Sequence, residues 1–181
     1  MATKLAKNGY GQLELNQVAF RRDGRIEAQC KIADGIADTT KGGAGYIENG
    51  MLLAVNNMNR TVDYVKSGNV HPVALHYSSE HMCDERANAL KDFKLNANSF
   101  LPRMGYLSAG DKYTTNTVCY DESKYASEDL FLAALGTKPM YAHAHTDGYH
   151  LVNETASGAI AMAVAATTMP DGQNAVKFVA L

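Results

Sequence analysis

The chain has 181 residues, with 17 basic and 19 acidic side chains, a formal net charge of -2 and 46% hydrophobic residues. This length suffices for one domain with its own core, and the charge balance provides no basic surface for nucleic acid. No apolar run approaches the roughly 18 residues of a membrane span. We therefore expect a soluble protein that binds neither nucleic acid nor a membrane.

The first ten residues, MATKLAKNGY, are polar and basic. They lack the apolar core of a secretory signal and are predicted to form a flexible arm. Three cysteines stand far apart, without metal-binding spacing: Cys30, Cys83 and Cys119. They are predicted to be free thiols in a protein made in a reducing cytoplasm.

Turn dipeptides that tolerate a positive φ angle punctuate the chain and predict a mainly β protein. They are Asp23-Gly24, Asp34-Gly35, Asn49-Gly50, Asp147-Gly148 and Asp171-Gly172. The segments on either side of the first dipeptide, NQVAFRR and RIEAQCKI, are predicted to form a hairpin. In the second segment, apolar and charged residues alternate.

The middle of the chain predicts several further strands. After the glycine-rich segment DTTKGGAGY, the segments GMLLAV and RTVDYVKS are predicted to pair across NNMN. VHPVALHY contains Pro72, which cannot donate a backbone hydrogen bond and so predicts an edge position or a strand start. Residues 99–120 are predicted as two strands joined at residues 108–111.

Two segments predict short helices, and the tail predicts a hairpin. SEHMCDERANALKDF has apolar residues near helical spacing, whereas SEDLFLAALG has Ser127 as a cap, acids in its first turn and Gly136 as a terminator. Residues 158–181 alternate with period two around a Pro-Asp-Gly turn, which favours a long hairpin. A helix over 158–167 is the alternative.

The stretch YAHAHTDGYH contains three histidines, His143, His145 and His150. If Asp147-Gly148 is a two-residue turn, the three imidazoles share one face and are candidate metal ligands. A three-residue loop places His150 on the opposite face and removes the site. Because the alternate positions are apolar and should point inward, the sequence favours histidines that face water, and we predict no metal and no cofactor.

A second polar cluster, HYSSEHMCDE at residues 76–85, has no metal-binding or nucleophile motif. The chain also contains no phosphate-binding loop and no dinucleotide fingerprint. We therefore predict no catalytic residues, and a protein that is not an enzyme.

Four segments carry a resemblance to a known class: IENGMLLAV, HPVALHYSSEHMCDERANALKDFKL, FLPRMGYLSAGDKYTTNTVCYD and TMPDGQNAVKFVAL. Together they resemble small virion proteins of tailed bacteriophages that accompany the major capsid protein. NGMLLAV is similar to the start of the β-rich domain in head decoration proteins of the lambda type. The resemblance covers residues 46–181 and implies a β-barrel-like module that binds and reinforces the outer face of an icosahedral head.

Pattern and resemblance together predict a mainly β fold. We expect an antiparallel β-barrel or β-sandwich-like domain with one or two short helices, in which residues 1–45 form an extended arm and hairpin and residues 46–181 form the decoration domain. The resemblance implies a non-enzymatic virion protein on the capsid surface, made in the host bacterial cytoplasm. Its partners would be the major capsid protein and neighbouring copies of itself. A small His-rich metal-binding hydrolase and a tail or head-fibre subunit are the alternatives.

Overall fold

A computed structural model describes residues 1–20, 24–41, 44–78, 93–96 and 101–181. The described chain is mainly β, as predicted, and its mixed sheets form a sandwich-like arrangement. Two short α-helices are present among these residues, Asp34–Ala37 (α1) and Glu128–Ala134 (α2), together with a 3-10 helix at Thr39–Lys41.

One sheet has eight strands. They are Ala2–Lys4 (β1), Leu13–Gln17 (β2), Lys112–Thr115 (β11), Val118–Asp121 (β12), Met140–Ala144 (β13), His150–Asn153 (β14), Ala161–Thr168 (β15) and Asn174–Ala180 (β16). Their spatial order is β1-β12-β14-β13-β15-β16-β11-β2. Neighbouring strands are antiparallel except for β12 and β14, which run parallel.

A second sheet has six strands, and a third has two. The six strands are Ile26–Glu27 (β3), Lys31–Ile32 (β4), Leu52–Asn56 (β6), Thr61–Tyr64 (β7), Val73–His76 (β8) and Met104–Gly105 (β10). Their order is β3-β10-β8-β6-β7-β4. The remaining pair is Tyr46–Ile47 (β5) and Leu95–Asn96 (β9).

The eight-stranded sheet curls, because two strands near its opposite edges are joined by a very short connection. Only Asn116 and Thr117 separate β11 from β12, yet each of these strands lies second from a different edge. The N-terminal segment, residues 5–12, crosses between the two edges. The Asn116 side chain accepts a hydrogen bond from the backbone of Gln12 at 2.7 Å. The sheet is therefore barrel-like but not closed, since β11 and β12 do not pair.

In the part of the chain that the structure describes, the core consists of two hydrophobic clusters, and β6 contributes to both. Leu52 packs with the cluster formed mainly by the eight-stranded sheet, whereas Leu53 and Val55 pack with the cluster on the other face of the six-stranded sheet. A strand buried on both faces needs a continuous apolar sequence. This requirement explains the run MLLAV.

Several sequence predictions are confirmed. β6 pairs with β7, and β15 pairs with β16, so the helix over 158–167 is wrong. Helix α2 begins at the predicted cap, where the Ser127 hydroxyl accepts from the backbone N–H of Leu130 at 3.3 Å. Pro72 directly precedes β8, which is an internal strand, so its strand-start interpretation is correct. The helix predicted over 79–93 falls, except for Phe93, outside the described residues.

The prediction of a flexible N-terminal arm is wrong. Strand β1 pairs with β12, and the side chains of Leu5 and Tyr10 are only 2% and 5% exposed. The prediction relied on the polar composition of this segment and gave no weight to Leu5 and Tyr10, which fit into the core. An edge strand was also available to pair with its backbone.

The predicted hairpin around Asp23-Gly24 is also wrong, because β2 pairs with β11 while β3 pairs with β10 in the other sheet. β10 and β11 likewise enter different sheets. Asp34-Gly35 lies inside α1 rather than in a turn. Alternation identifies a strand but not its partner. The division at residue 45 stays a prediction, although all four strands before it pair with strands after it.

Gly50 provides a test of the packing between the two sheets. Gly50 and Gly172 both have φ +85, but a Cβ on Gly50 would meet the hydroxyl oxygens of Thr115 and Thr117, whereas a Cβ on Gly172 would meet nothing within 4 Å. Gly172→Ala should cost about 1–2 kcal/mol for the left-handed backbone. Gly50→Ala should cost about 1–3 kcal/mol more for overpacking. Urea unfolding of both variants measures the difference, and equal losses would contradict this packing.

Candidate functional site

The turn between β13 and β14 decides how the three candidate histidines are arranged. The backbone N–H of His145 donates to the carbonyl of Tyr149 at 2.9 Å, which leaves three residues, 146–148, in the turn. His150 consequently lies on the face opposite His143 and His145. The three imidazoles are not brought together, so the arrangement that requires a two-residue turn does not form.

His150 is a fully buried packing residue rather than one that faces water, so that expectation is wrong for this histidine. Its Nδ1 donates to the carbonyl of Thr117 at 3.2 Å, and its Nε2 lies 3.0 Å from the hydroxyl of Tyr113. Its ring stacks on Phe178 with a centroid distance of 4.9 Å. Burial lowers the pKa of His150 to about 4, against the smaller effect of the Thr117 bond. The imidazole is therefore neutral at pH 7.

The other two histidines have separate partners. His143 Nε2 donates to the carbonyl of Thr155 at 2.8 Å, and His145 Nδ1 lies 2.7 Å from a carboxylate oxygen of Asp147. Asp147 also pairs with Lys4 Nζ at 3.0 Å. Although burial acts to raise the pKa of Asp147, the hydrogen bonds from His145 and Lys4 bring it below its ordinary value. Within the described ranges, no three His, Cys, Asp or Glu residues form a metal-binding group.

The structure describes only part of the second polar cluster, residues 76–85. His76 is fully buried, donates through Nδ1 to the carbonyl of Glu48 at 2.7 Å and lies 2.8 Å through Nε2 from the Ser78 hydroxyl. Burial lowers the pKa of His76 to about 4. The remaining ionisable members of the cluster lie outside the described residues: Glu80, His81, Cys83, Asp84 and Glu85.

A buried carboxylate that sequence reasoning missed lies between the N-terminal segment and the two sheets. Glu48 is 1% exposed, and its carboxylate accepts hydrogen bonds from Lys7 Nζ and, at 3.2 Å, from the hydroxyl of Tyr149. Lys94 Nζ lies 3.9 Å from the other carboxylate oxygen. We call these four residues the Glu48 cluster.

Burial controls the electrostatics of the Glu48 cluster. Desolvation lowers the pKa of Lys7, although the charge and the hydrogen bond of Glu48 oppose it. Desolvation, followed by the charge of Glu48, raises the pKa of Tyr149. The phenol therefore stays protonated and donates to the carboxylate. Its ring also lies beneath two ammonium groups, with Lys4 Nζ at 4.0 Å and Lys7 Nζ at 5.1 Å from the centroid.

The Glu48 cluster holds together parts of the chain that are distant in sequence. Glu48 lies between β5 and β6, Tyr149 immediately precedes β14, and Lys7 belongs to the N-terminal segment. A carboxylate with so little exposure cannot reach a ligand unless the N-terminal segment moves. The arrangement is therefore suited to fixing that segment. No sequence motif predicts the Glu48 cluster, because Lys7 and Glu48 are separated by 41 positions. The sequence signal that could have indicated it is a charged residue, Glu48, between the two apolar strands β5 and β6.

Comparison with family models, with curated proteins and with solved structures finds no match to this chain. Over the described ranges, every helix is too short or too polar to cross a membrane.

We predict that Lys7→Met will destabilise the fold by about 3 kcal/mol, because it leaves a buried carboxylate without its ammonium partner. The double variant Lys7→Met/Glu48→Gln should lose less than the sum of the two single variants, since the amide keeps an acceptor for Tyr149 without the charge. Urea unfolding gives the three losses, and limited proteolysis reports whether the N-terminal segment is released.

The exposed pair Lys138–Glu154 is the matched control, with its two charged groups 2.6 Å apart and about half exposed, at 42% and 50%. Lys138→Met should cost far less than Lys7→Met, because water screens an exposed pair. Equal losses from the two lysine variants, or strict additivity of the Lys7 and Glu48 variants, would contradict a buried coupled pair.

Acid should destabilise the protein through the buried histidines His76 and His150. His76 and His150 have pKa values of about 4 when folded, against 6.5 ordinarily, so the unfolded chain binds more protons between these values. The free energy of unfolding should therefore fall as pH drops from 6.5 towards 4, by about 1.4 kcal/mol per pH unit for each histidine. The lowered pKa of Asp147 acts in a separate window, below 3.8.

Urea unfolding across this pH range tests the prediction. His150→Gln should lower stability at pH 7 but reduce the pH slope by about 1.4 kcal/mol per pH unit, because the proton-linked imidazole of His150 is gone. A flat profile for the wild-type protein between pH 6.5 and 4 would show that these imidazoles are not buried in neutral form.

Proposed function

We propose that this chain is a non-enzymatic virion structural protein that binds the outer surface of a tailed-bacteriophage head and stabilises its lattice. The observation that carries the proposal is the curled eight-stranded sheet, in which a two-residue connection joins strands near opposite edges. The resemblance over residues 46–181 implies a β-barrel-like module, and six of the eight strands of this open, curled sheet lie in that range. The major capsid protein is the proposed partner, and neighbouring copies of the chain are the second.

The use of the buried ionisable groups also supports this proposal. Glu48, His76 and His150 have at most 1% of their surface exposed, and each makes hydrogen bonds within the core. These groups tie the two sheets and the N-terminal segment together. Ionisable groups that are used for internal packing suit a protein that acts by surface binding and mechanical reinforcement.

The edge strands indicate how a lattice contact would be made. β1 has three residues, β3 and β4 have two each, and the pairing of β2 with β11 is interrupted by a register shift. Short or bulged edges discourage the addition of a foreign strand. We therefore propose that attachment uses loops and faces, where apolar side chains such as Met58 and Leu130 are 93% and 57% exposed.

Of the alternatives, the metal-binding hydrolase was based on His143, His145 and His150 sharing one face, and His150 lies on the other face. The tail or head-fibre subunit stays an alternative. Labelling the protein in dissected particles separates it from the capsid proposal by the position of the label.

The test compares heads that contain the protein with heads that lack it. Heads lacking it should assemble, yet rupture at lower temperature or milder osmotic shock, because many weak attachments act together on a repeating lattice. Adding back the purified whole chain should restore resistance. The whole chain is required because deletion of residues 1–45 would remove strands from both large sheets.

Heads of an unrelated phage are the control and should neither bind nor gain resistance. Cryo-microscopy of the restored particles should show lattice-wide density on the outer surface. Failure of assembly without the protein, or density confined to a tail or fibre, would contradict the proposal.

A further inference from the structure

A cavity of about 370 Å³ lies beside the outer part of the six-stranded sheet. β7 and β8 both pair antiparallel with β6, so they run parallel to each other and need a connection that crosses β6. Residues 65–72 form this connection. The cavity is lined by both the connection and the two strands β6 and β7.

Two cross-strand pairs form the floor of the cavity. Ala54 lies opposite Asp63, and Asn56 lies opposite Thr61. Because alternate residues of a strand point to the same face, these four side chains share one surface. The small side chain of Ala54 leaves room above the sheet.

One set of polar side chains holds the two turns that border the cavity. The carboxamide oxygen of Asn56 accepts from the backbone N–H groups of Met58 and Asn59, each at 3.1 Å. On the crossing connection, the Asn69 side chain donates to the carbonyl of His71 at 2.7 Å and accepts from its N–H at 3.2 Å. Both turns that border the cavity are thus fixed by their own side chains.

The described ion pair among the lining residues has no net charge. Lys66 Nζ lies 2.5 Å from a carboxylate oxygen of Asp63. Because these charges neutralise each other, they give no preference for a strongly charged ligand.

A second set of polar side chains has hydrogen-bonding groups available to a ligand; we call these groups uncommitted. The side chains of Asn59, Thr61, Ser67 and His71 line the cavity and make no hydrogen bond within the described part of the chain. Asn59 and Ser67 are exposed at the rim, and Thr61 and His71 are half-buried. They present an amide, two hydroxyls and an imidazole, which both donate and accept hydrogen bonds.

We propose that this cavity binds a neutral saccharide unit. Sugar hydroxyls both donate and accept hydrogen bonds, as the four uncommitted groups do, and the cavity is within the usual size range of small-ligand sites. Val70, also a lining residue, is 87% exposed and offers an apolar contact for the C–H face of a sugar ring. This binding is a property beyond head attachment, and it does not depend on it.

The test is a titration of the isotope-labelled whole chain followed by amide NMR. The probes are D-glucose, D-galactose and N-acetyl-D-glucosamine, with inorganic phosphate as the charged comparison. At least one sugar should produce saturable shifts centred on residues 54–71, and phosphate should not. Absence of saturation with all three sugars, shifts centred elsewhere, or equal binding of phosphate would overturn the proposal.

Thr61→Val removes one uncommitted hydroxyl with little change of shape. It should weaken sugar binding by about 3- to 10-fold, the equivalent of one hydrogen bond. The matched control is Thr167→Val, an exposed strand position on β15 that does not line the cavity, and it should bind as the wild type does. Ser67→Ala on the exposed connection provides a second variant if Thr61→Val fails to fold. Equal affinity in the control and in the folded cavity variants would overturn the proposal.

Discussion

The buried carboxylate of Glu48 is the constraint on which much of this fold depends. A charge taken out of water costs several kcal/mol unless partners surround it. Those partners come from distant parts of the chain: Lys7 supplies an ammonium, and Tyr149 supplies a hydroxyl. The N-terminal segment and the start of β14 must therefore meet at Glu48, and the end of β8 joins them where His76 donates to the backbone carbonyl of Glu48. The Lys7–Glu48 pair thus adds to the burial of Leu5 and Tyr10 and to the pairing of β1 in ordering a polar, basic N-terminus.

The burial of Glu48 also bears on which way the side chains of the histidine-rich hairpin point. Tyr149 points towards Glu48 and packs in the cluster associated with the six-stranded sheet. Because successive residues of a strand point to opposite faces, His150 must then enter the other cluster, where it stacks on Phe178. A turn of three residues satisfies both requirements. The separation of His150 from His143 and His145 thus accompanies the burial of Tyr149 against Glu48.

Local pattern predicted the elements of this fold better than their arrangement. The run MLLAV, the Ser127 cap and the period-two tail each depend on residues within a few positions, and each was correct. The partners of β2 and β3 depend on contacts with residues far along the chain, which alternation does not encode. Glu48 was missed for the same reason, since a buried charge is identified by its neighbours in space. For the histidines, sequence alone reduced the question to the length of one turn.

The cavity of the six-stranded sheet is linked to the Glu48 cluster through Tyr64. Tyr64 lines the cavity, and its hydroxyl donates to the carbonyl of Tyr46 at 3.4 Å; the ring of Tyr46 in turn lies 4.2 Å from Lys94 Nζ of the Glu48 cluster. Strand β7, which lines the cavity, is thus held to the Glu48 cluster by the Tyr64 side chain on its other face. A single contact with a small sugar is nevertheless weak. Repetition of the cavity over a capsid lattice would raise its effective affinity for a sugar-coated surface without any new contact.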